Sequence, residues 1–131
     1  MGLRGDRSLR FLDLGCGLGG VIAALKRERP ECEFHGVELA LIPYLVSRWR
    51  AGRAGCRVER RDLMGVDLAR YDVVYAFLSP APMPALWDKA KREMRPGSLF
   101  VSLAFPVPAA APDEILPVSD RDRHTLYVWR M

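Results

Sequence analysis

Cysteine, histidine, lysine and long apolar runs are all scarce in this chain of 131 residues. Its three cysteines, Cys16, Cys32 and Cys56, are an odd number with no CxxC pair, which argues against a disulfide framework and a cysteine-only zinc site. Two histidines, His35 and His124, with no HExxH string and no Cys/His cluster, leave no set of metal ligands, and no metal is expected. The longest uncharged run, residues 96–112, is broken by Pro106 and Pro108 and falls short of the ~20 apolar residues that a membrane-spanning helix needs. The opening MGLRGDRSLRFLDLG has basic residues but no apolar core of a secretory signal. The expected compartment is the cytoplasm, with the thiols reduced. Against 17 arginines there are only 3 lysines, so the net charge of +4 and the pI near 9.2 come from guanidinium groups. Such a balance permits an acidic partner without requiring one.

Apolar residues are plentiful, at 50%, and charged ones make up 27%, close to the composition of a soluble globular domain. The length suits one domain over residues 1–131. Along the chain, apolar runs alternate with helix patterns. Residues 11–14 read as a strand ending in the glycine turn Gly15-Cys16-Gly17-Leu18-Gly19-Gly20, and residues 21–29 as a helix stopped by Pro30. A second strand over 33–38 precedes a helix over 41–51, with Pro43 in its first turn and Gly52 and Gly55 at its end. Residues 56–60 and 71–78 are the third and fourth strands, the latter apolar on both faces like a buried parallel strand. After Ser79-Pro80-Ala81-Pro82, a helix over 83–94 and a strand over 98–105 follow. Segments 114–118 and 125–129, joined by a turn over 119–124, read as a hairpin. Four βα units, a strand and a hairpin predict an α/β fold: a mostly parallel Rossmann-like sheet with an antiparallel C-terminal hairpin strand and helices on both faces.

In such sheets ligands bind outside the carboxyl ends of the strands, beside the glycine turn. Gly15, Gly17 and Gly19 lack Cβ atoms, so the backbone can turn tightly and approach a ligand with the amides that open the next helix. Glu38 ends the second strand on the same edge, where a carboxylate can accept both hydroxyls of a ribose, and Asp62 follows the third strand in the same way. The string Gly15-x-Gly17-x-x-Gly20 also satisfies the dinucleotide pattern, which keeps a nicotinamide cofactor open. Asp13, inside the strand just before the glycines, and Asp62, placed to receive an adenine amino group, favour S-adenosylmethionine (SAM).

The string LDLGCGLGG, with GVEL, RRDL and MRPGSLFVS, resembles the class I SAM-dependent methyltransferases over nearly the whole chain. More narrowly, GVELALIPYLVSRWRA and RRDLMGVDLARYDVVYAFLSPAPMPALWDKAKREMRPGSLFVSLAFPVP resemble the protein-lysine methyltransferases of the ATP synthase c subunit and the adenine nucleotide translocator, and GVE...IP is similar to the Dot1 enzymes. The resemblance implies that Gly15, Gly17 and Gly19 line the methionine and ribose end of SAM. By the same resemblance Asp13 sits beneath its amino group, Glu38 holds the ribose hydroxyls, and Asp62 with the Leu63 amide takes the adenine edge. It implies SAM as cofactor and a protein lysine as methyl acceptor.

Three departures bear on the acceptor and the cover of the site. Ala40, Leu41 and Ile42 stand before Pro43 where those lysine enzymes often carry Asn-Pro, and Ser79-Pro80-Ala81-Pro82 replaces the Asn/Asp-Pro-Pro-aromatic motif of many amino-group methyltransferases. About eight residues precede the first strand, too few for the lid helix usual in the superfamily, so the expectation is an open pocket completed by substrate, by a second subunit or by residues not in this chain. No catalytic residue is assigned. Phe77, Leu78, Trp87 and Phe105 are candidates for an apolar mouth that disfavours a lysine ammonium.

Other classes stay open: a small-molecule methyltransferase, an NAD-binding oxidoreductase and a non-catalytic SAM-binding domain. Cys16 sits at a helix N-terminus but has no adjacent base, so it reads as a small filler and not a nucleophile. The arginines at 48, 50, 53, 57, 60 and 61 read as a solvated face. With only Trp49 interleaved, they are not expected to bind nucleic acid.

Overall fold

A computed structural model describes residues 8–118 and 124–131. Strand β1 (Arg10–Leu14) alternates as a two-sided central strand should. Leu12 and Leu14 are fully buried in one cluster, while Phe11 and Asp13 face the other side. Helix α1 (Gly20–Glu28) follows, then β2 (Glu33–Val37), α2 (Leu41–Arg53), β3 (Arg57–Glu59), β4 (Val73–Ala76), α3 (Met83–Glu93), β5 (Leu99–Leu103), β6 (Glu114–Pro117) and β7 (Thr125–Arg130).

The sheet order is β3-β2-β1-β4-β5-β7-β6. The first five strands in that order are parallel, and β7 pairs antiparallel with both β5 and β6. This is the mostly parallel, Rossmann-like architecture expected, with the last strand interior to the sheet. Strand order reverses between β1 and β4, which opens a crevice at their carboxyl ends. One layer of core lies under α3, where Met83, Leu86 and Ala90 meet Leu12, Leu14, Val74, Phe100 and Trp129. The opposite layer packs Ile22 and Ala51 against Phe34, Cys32 and Cys56.

Three details differ from the expectation. The count of four βα units falls to three, because the β3–β4 crossover, whose residues before the fourth strand read as loop, holds only two 3₁₀ turns, Leu63–Gly65 and Leu68–Arg70, whose N-caps Asp62 and Asp67 accept the amides of Met64 and Ala69. Asp, Gly and Asp in a short connection favour capped turns over a helix. Helix α2 runs through Gly52 to Arg53. It stops instead near Gly55, whose φ of +96° suits a residue without a Cβ. Third, Trp87 does not stand at the cleft mouth, because its ring packs on Phe100 and Trp129 at 5.8 and 5.5 Å, beneath α3. The turn expected over 119–124 lies, except for His124, outside the described residues, as does most of the N-terminal stretch on which the expectation of an open pocket rests.

α3 is anchored by Lys89, almost fully buried, which donates to both oxygens of Glu93 at 3.0 and 2.7 Å. Glu93 Oε1 also accepts the Leu68 amide at 3.0 Å, tying the second 3₁₀ turn to the helix.

Candidate functional site

The glycine turn leaves β1 with Gly15, Gly17 and Gly19 at φ of +70°, +56° and +79°, a region in which side chains other than glycine are strained. The three are not equivalent. A Cβ on Gly15 would stand 2.9 Å from Leu78 Cδ2, and one on Gly19 would stand 3.0 Å from Ser47 Cβ, so these two are held by packing. Beside Gly17 nothing lies within 4 Å of such an atom, so its backbone faces open space.

Glu38 stands at the end of β2, across from this turn. Its Oε1 accepts the Gly17 amide at 2.9 Å and its Oε2 the Ala40 amide at 3.1 Å, so one carboxylate braces both the glycine turn and the entry to α2. An ionised carboxylate has roughly four lone-pair sites, which leaves acceptor capacity for hydroxyls of a ligand. The Cys16 amide donates to the Val37 carbonyl at 2.9 Å, closing the same corner.

Asp13 is 3% exposed. Burial, with the Glu38 charge adding to it, pushes its carboxyl up to about 8. A buried acid of this kind is set to accept a cation, which would restore its charge. Cys16 behaves as a filler: burial first, against a lowering bond from Ser47, pushes its thiol up to about 11. It also fills the space left by Gly36, where a Cβ would stand 2.8 Å from Cys16 Sγ.

Asp62 caps the 3₁₀ turn with Oδ1, which accepts the Met64 amide at 3.0 Å. The Leu63 amide lies in the first turn, where helical donors have no internal partner. Gly15, Val37, Glu38, Leu39, Arg61, Asp62, Leu63 and Leu78 line one open cleft. It brings together four of the seven expected contact residues, Gly15, Glu38, Asp62 and Leu63. Gly17 joins them through its bond to Glu38, while Asp13 and Gly19 stand behind the turn and not on the cleft wall. Leu78, expected at an apolar mouth, lines the cleft itself, and Phe77 is exposed, with its ring 5.2 Å from that of His124. Arg61 was missed as a lining residue, since in sequence it is one more arginine of a basic run.

A second hollow lies lower on the sheet between β2, β3 and the 3₁₀ turns, and is lined by His35, Arg57, Glu59, Arg70 and Tyr71 among others. It does not open on the glycine turn. Among the described residues no group of acids, histidines and cysteines is arranged to hold a metal, and no helix is long and apolar enough to cross a membrane.

Known proteins are similar to this chain. The adenine nucleotide translocase lysine N-methyltransferase of Mus musculus is 36% identical over 118 residues, covering 84% of this chain and 49% of its own length. A protein-lysine N-methyltransferase of Saccharolobus islandicus is 27% identical over 124 residues, covering 89% of this chain and 76% of its own. The chain thus spans about half the length of the mouse relative. Among solved structures, an RNA methyltransferase from Salinibacter ruber in complex with S-adenosyl-L-homocysteine superposes with a TM-score of 0.83 at 25% identity, covering 93% of this chain and 80% of that one. Residues 13–114, from the acid before the glycine turn to the first residue of β6, match the family described as the ANTKMT methyltransferase domain, and the chain belongs to that family.

Proposed function

We propose that residues 1–131 act as one SAM-dependent methyltransferase domain, that the cleft at the ends of β1, β2 and β3 holds the cofactor, and that the acceptor is the ε-amine of a protein lysine. The observation that carries this reading is the meeting of Gly15, Glu38, Asp62 and Leu63 in one cleft in a chain of this family. The donor set suits the cofactor group by group. Glu38 retains lone pairs for two ribose hydroxyls. Asp13, a buried acid with no cation paired to it among the described residues, suits an α-ammonium brought up to the turn it stands behind, and the open side of Gly17 admits a close backbone approach. Asp62 keeps one oxygen for an adenine amino group, and the Leu63 amide supplies a donor beside it. Bound there, SAM supplies a methyl group on a sulfonium leaving group.

The chain's own contribution is alignment and exclusion of water. A lysine amine is protonated at neutral pH, with an unperturbed pKa near 10.4, and transfer to it requires the free base. Leu78, Phe77 and Phe105 supply an apolar rim that disfavours the ammonium; Trp87 does not take part. No side chain is assigned as a general base. Free, buried cysteines are compatible with a cytoplasmic setting, and a homo-oligomer is compatible with this reading.

The test is transfer of labelled methyl from SAM to lysate protein, followed by total hydrolysis. Label in N-methyllysine supports the reading. Label recovered in RNA, as the structural relative's chemistry would suggest, or in small molecules alone, refutes the lysine assignment while keeping the cofactor. NAD binding in place of SAM would refute both.

A further inference from the structure

Helix α2 is built with its large apolar side chains outward. Its contact with α1 is made by small residues: Ser47 and Ala51 are fully buried, and Gly19 lies against both. On the far side, Ile42, Leu45, Val46 and Trp49 follow the i, i+3, i+4, i+7 spacing of a single helical face, and they are 67, 47, 38 and 65% exposed. At 3.6 residues per turn, Arg48 falls on one flank of this stripe, Arg50 on the other and Arg53 at its C-terminal end. Arg53 lies over the Trp49 ring, 5.4 Å from its centroid. The helix, LIPYLVSRWRAGR, carries three arginines and no acid. Leu18, Leu39 and Leu41, all exposed, extend the apolar surface towards the cleft.

We propose that α2 is a membrane-surface element, which seats Ile42, Leu45, Val46 and Trp49 among the headgroups of an anionic bilayer while Arg48, Arg50 and Arg53 pair with lipid phosphates. A contiguous exposed apolar face of this size marks an interaction surface. Its chemistry selects the partner. A Trp/Leu/Ile stripe bounded on both sides by arginine is the pattern of a helix lying in a membrane interface, and the long guanidinium stems let the charges reach phosphates while the stripe is immersed. A second copy of the chain does not fit, because pairing two such helices would set arginine against arginine with no acid on α2 to offset them.

Because α2 begins three residues after Glu38, its docking would hold the cleft mouth at the bilayer surface. That consequence rests on the reading of the cleft given above, whereas lipid binding measured without nucleotide does not.

The experiment is co-sedimentation of the full chain with vesicles of phosphatidylcholine alone and of equimolar phosphatidylcholine and phosphatidylglycerol, with tryptophan emission recorded in parallel. Trp129 is buried and Trp87 is packed against it, so an emission shift on binding reports Trp49. The expected result is binding to the anionic vesicles only, with a blue shift and release by salt. Arg48→Gln/Arg53→Gln should weaken it more than tenfold, at about fivefold per charge, and Leu45→Ser/Trp49→Ser should abolish it, with unfolding midpoints at the wild-type value in both. No vesicle binding, or binding unchanged in both double variants, would overturn the proposal. So would a concentration-dependent dimer that Leu45→Ser/Trp49→Ser dissolves in the absence of lipid affinity, since a second copy would then cover the stripe.

Discussion

The layer beneath α3 and the corner around the glycine turn are made of the same chain to opposite ends. Under α3, Phe100, Trp87 and Trp129 pack ring against ring, Met83, Leu86 and Ala90 are fully buried, and the Trp129 indole donates to the Ala110 carbonyl at 3.3 Å. At the glycine turn, three residues take positive φ, a carboxyl is buried with no cation paired to it among the described residues, and Leu18 and Leu39 lie exposed. The first region gains stability from burial. The second gives some up, as functional sites do, to present open backbone and charge.

The comparison breaks if substitutions in the two regions have the same kind of effect. Phe100→Ala should have the largest, a loss of about 3–5 kcal/mol of unfolding free energy, seen by chemical denaturation. Glu93→Ala should follow at about 3 kcal/mol, because it strands the buried Lys89 ammonium and frees the Leu68 amide. Although burial works to raise the Glu93 carboxyl, its bonds to Lys89 and the Leu68 amide hold it below its ordinary value. Its contribution is therefore present above the usual carboxylate range and lost as pH falls through the lowered value.

At the other corner the effects should fall on binding. Glu38→Ala should weaken S-adenosylhomocysteine by at least ~1.5 kcal/mol, about tenfold, by removing charge-assisted acceptors. Asp13 sharpens the contrast by its sign. Its carboxyl is raised from 3.8 to about 8 in the folded chain, so the folded state holds the proton more tightly than the unfolded one. Its contribution to stability is complete below about pH 4 and is lost as pH rises to about 8. Asp13→Asn should flatten that decline and make the ligand-free protein more stable at pH 8 while weakening the cofactor. Thermal unfolding against pH checks the first effect, and proton release on titration in buffers of different ionisation enthalpy checks the second. The smallest effect is expected of Cys16→Ala, with methyl transfer nearly unchanged and slow reaction of the native thiol with alkylating reagents, since burial pushes it up to about 11.

Much of the cleft was legible in sequence because its parts are punctuation. Glycines close a strand, and an acid ends each of the next two. What was not legible depends on register and on φ. The bond from the Gly17 amide to Glu38 spans 21 residues and exists only because β1 and β2 pair in parallel with Leu14 beside Val37. Gly52 looked like a helix stop, yet glycine tolerates helical angles, and only Gly55 takes the positive φ that ends α2. Trp87 was a candidate for the mouth as an apolar side chain, but helical rotation turns it under the helix onto Phe100. The apolar stripe of α2 was not read from the sequence, where the helix stood out for its arginines. Which face it would turn to the sheet was decided by the close approach of Gly19 to Ser47 and Ala51, which only small residues permit.

The central claim is that the Glu38 corner is a SAM site, and calorimetric titration of the purified chain with SAM, S-adenosylhomocysteine and NAD, repeated on Glu38→Ala, tests it most directly. The account predicts selective binding of the two sulfur nucleotides, about tenfold or more weaker in the variant. Binding of NAD alone, or binding of SAM that Glu38→Ala leaves untouched, would contradict it.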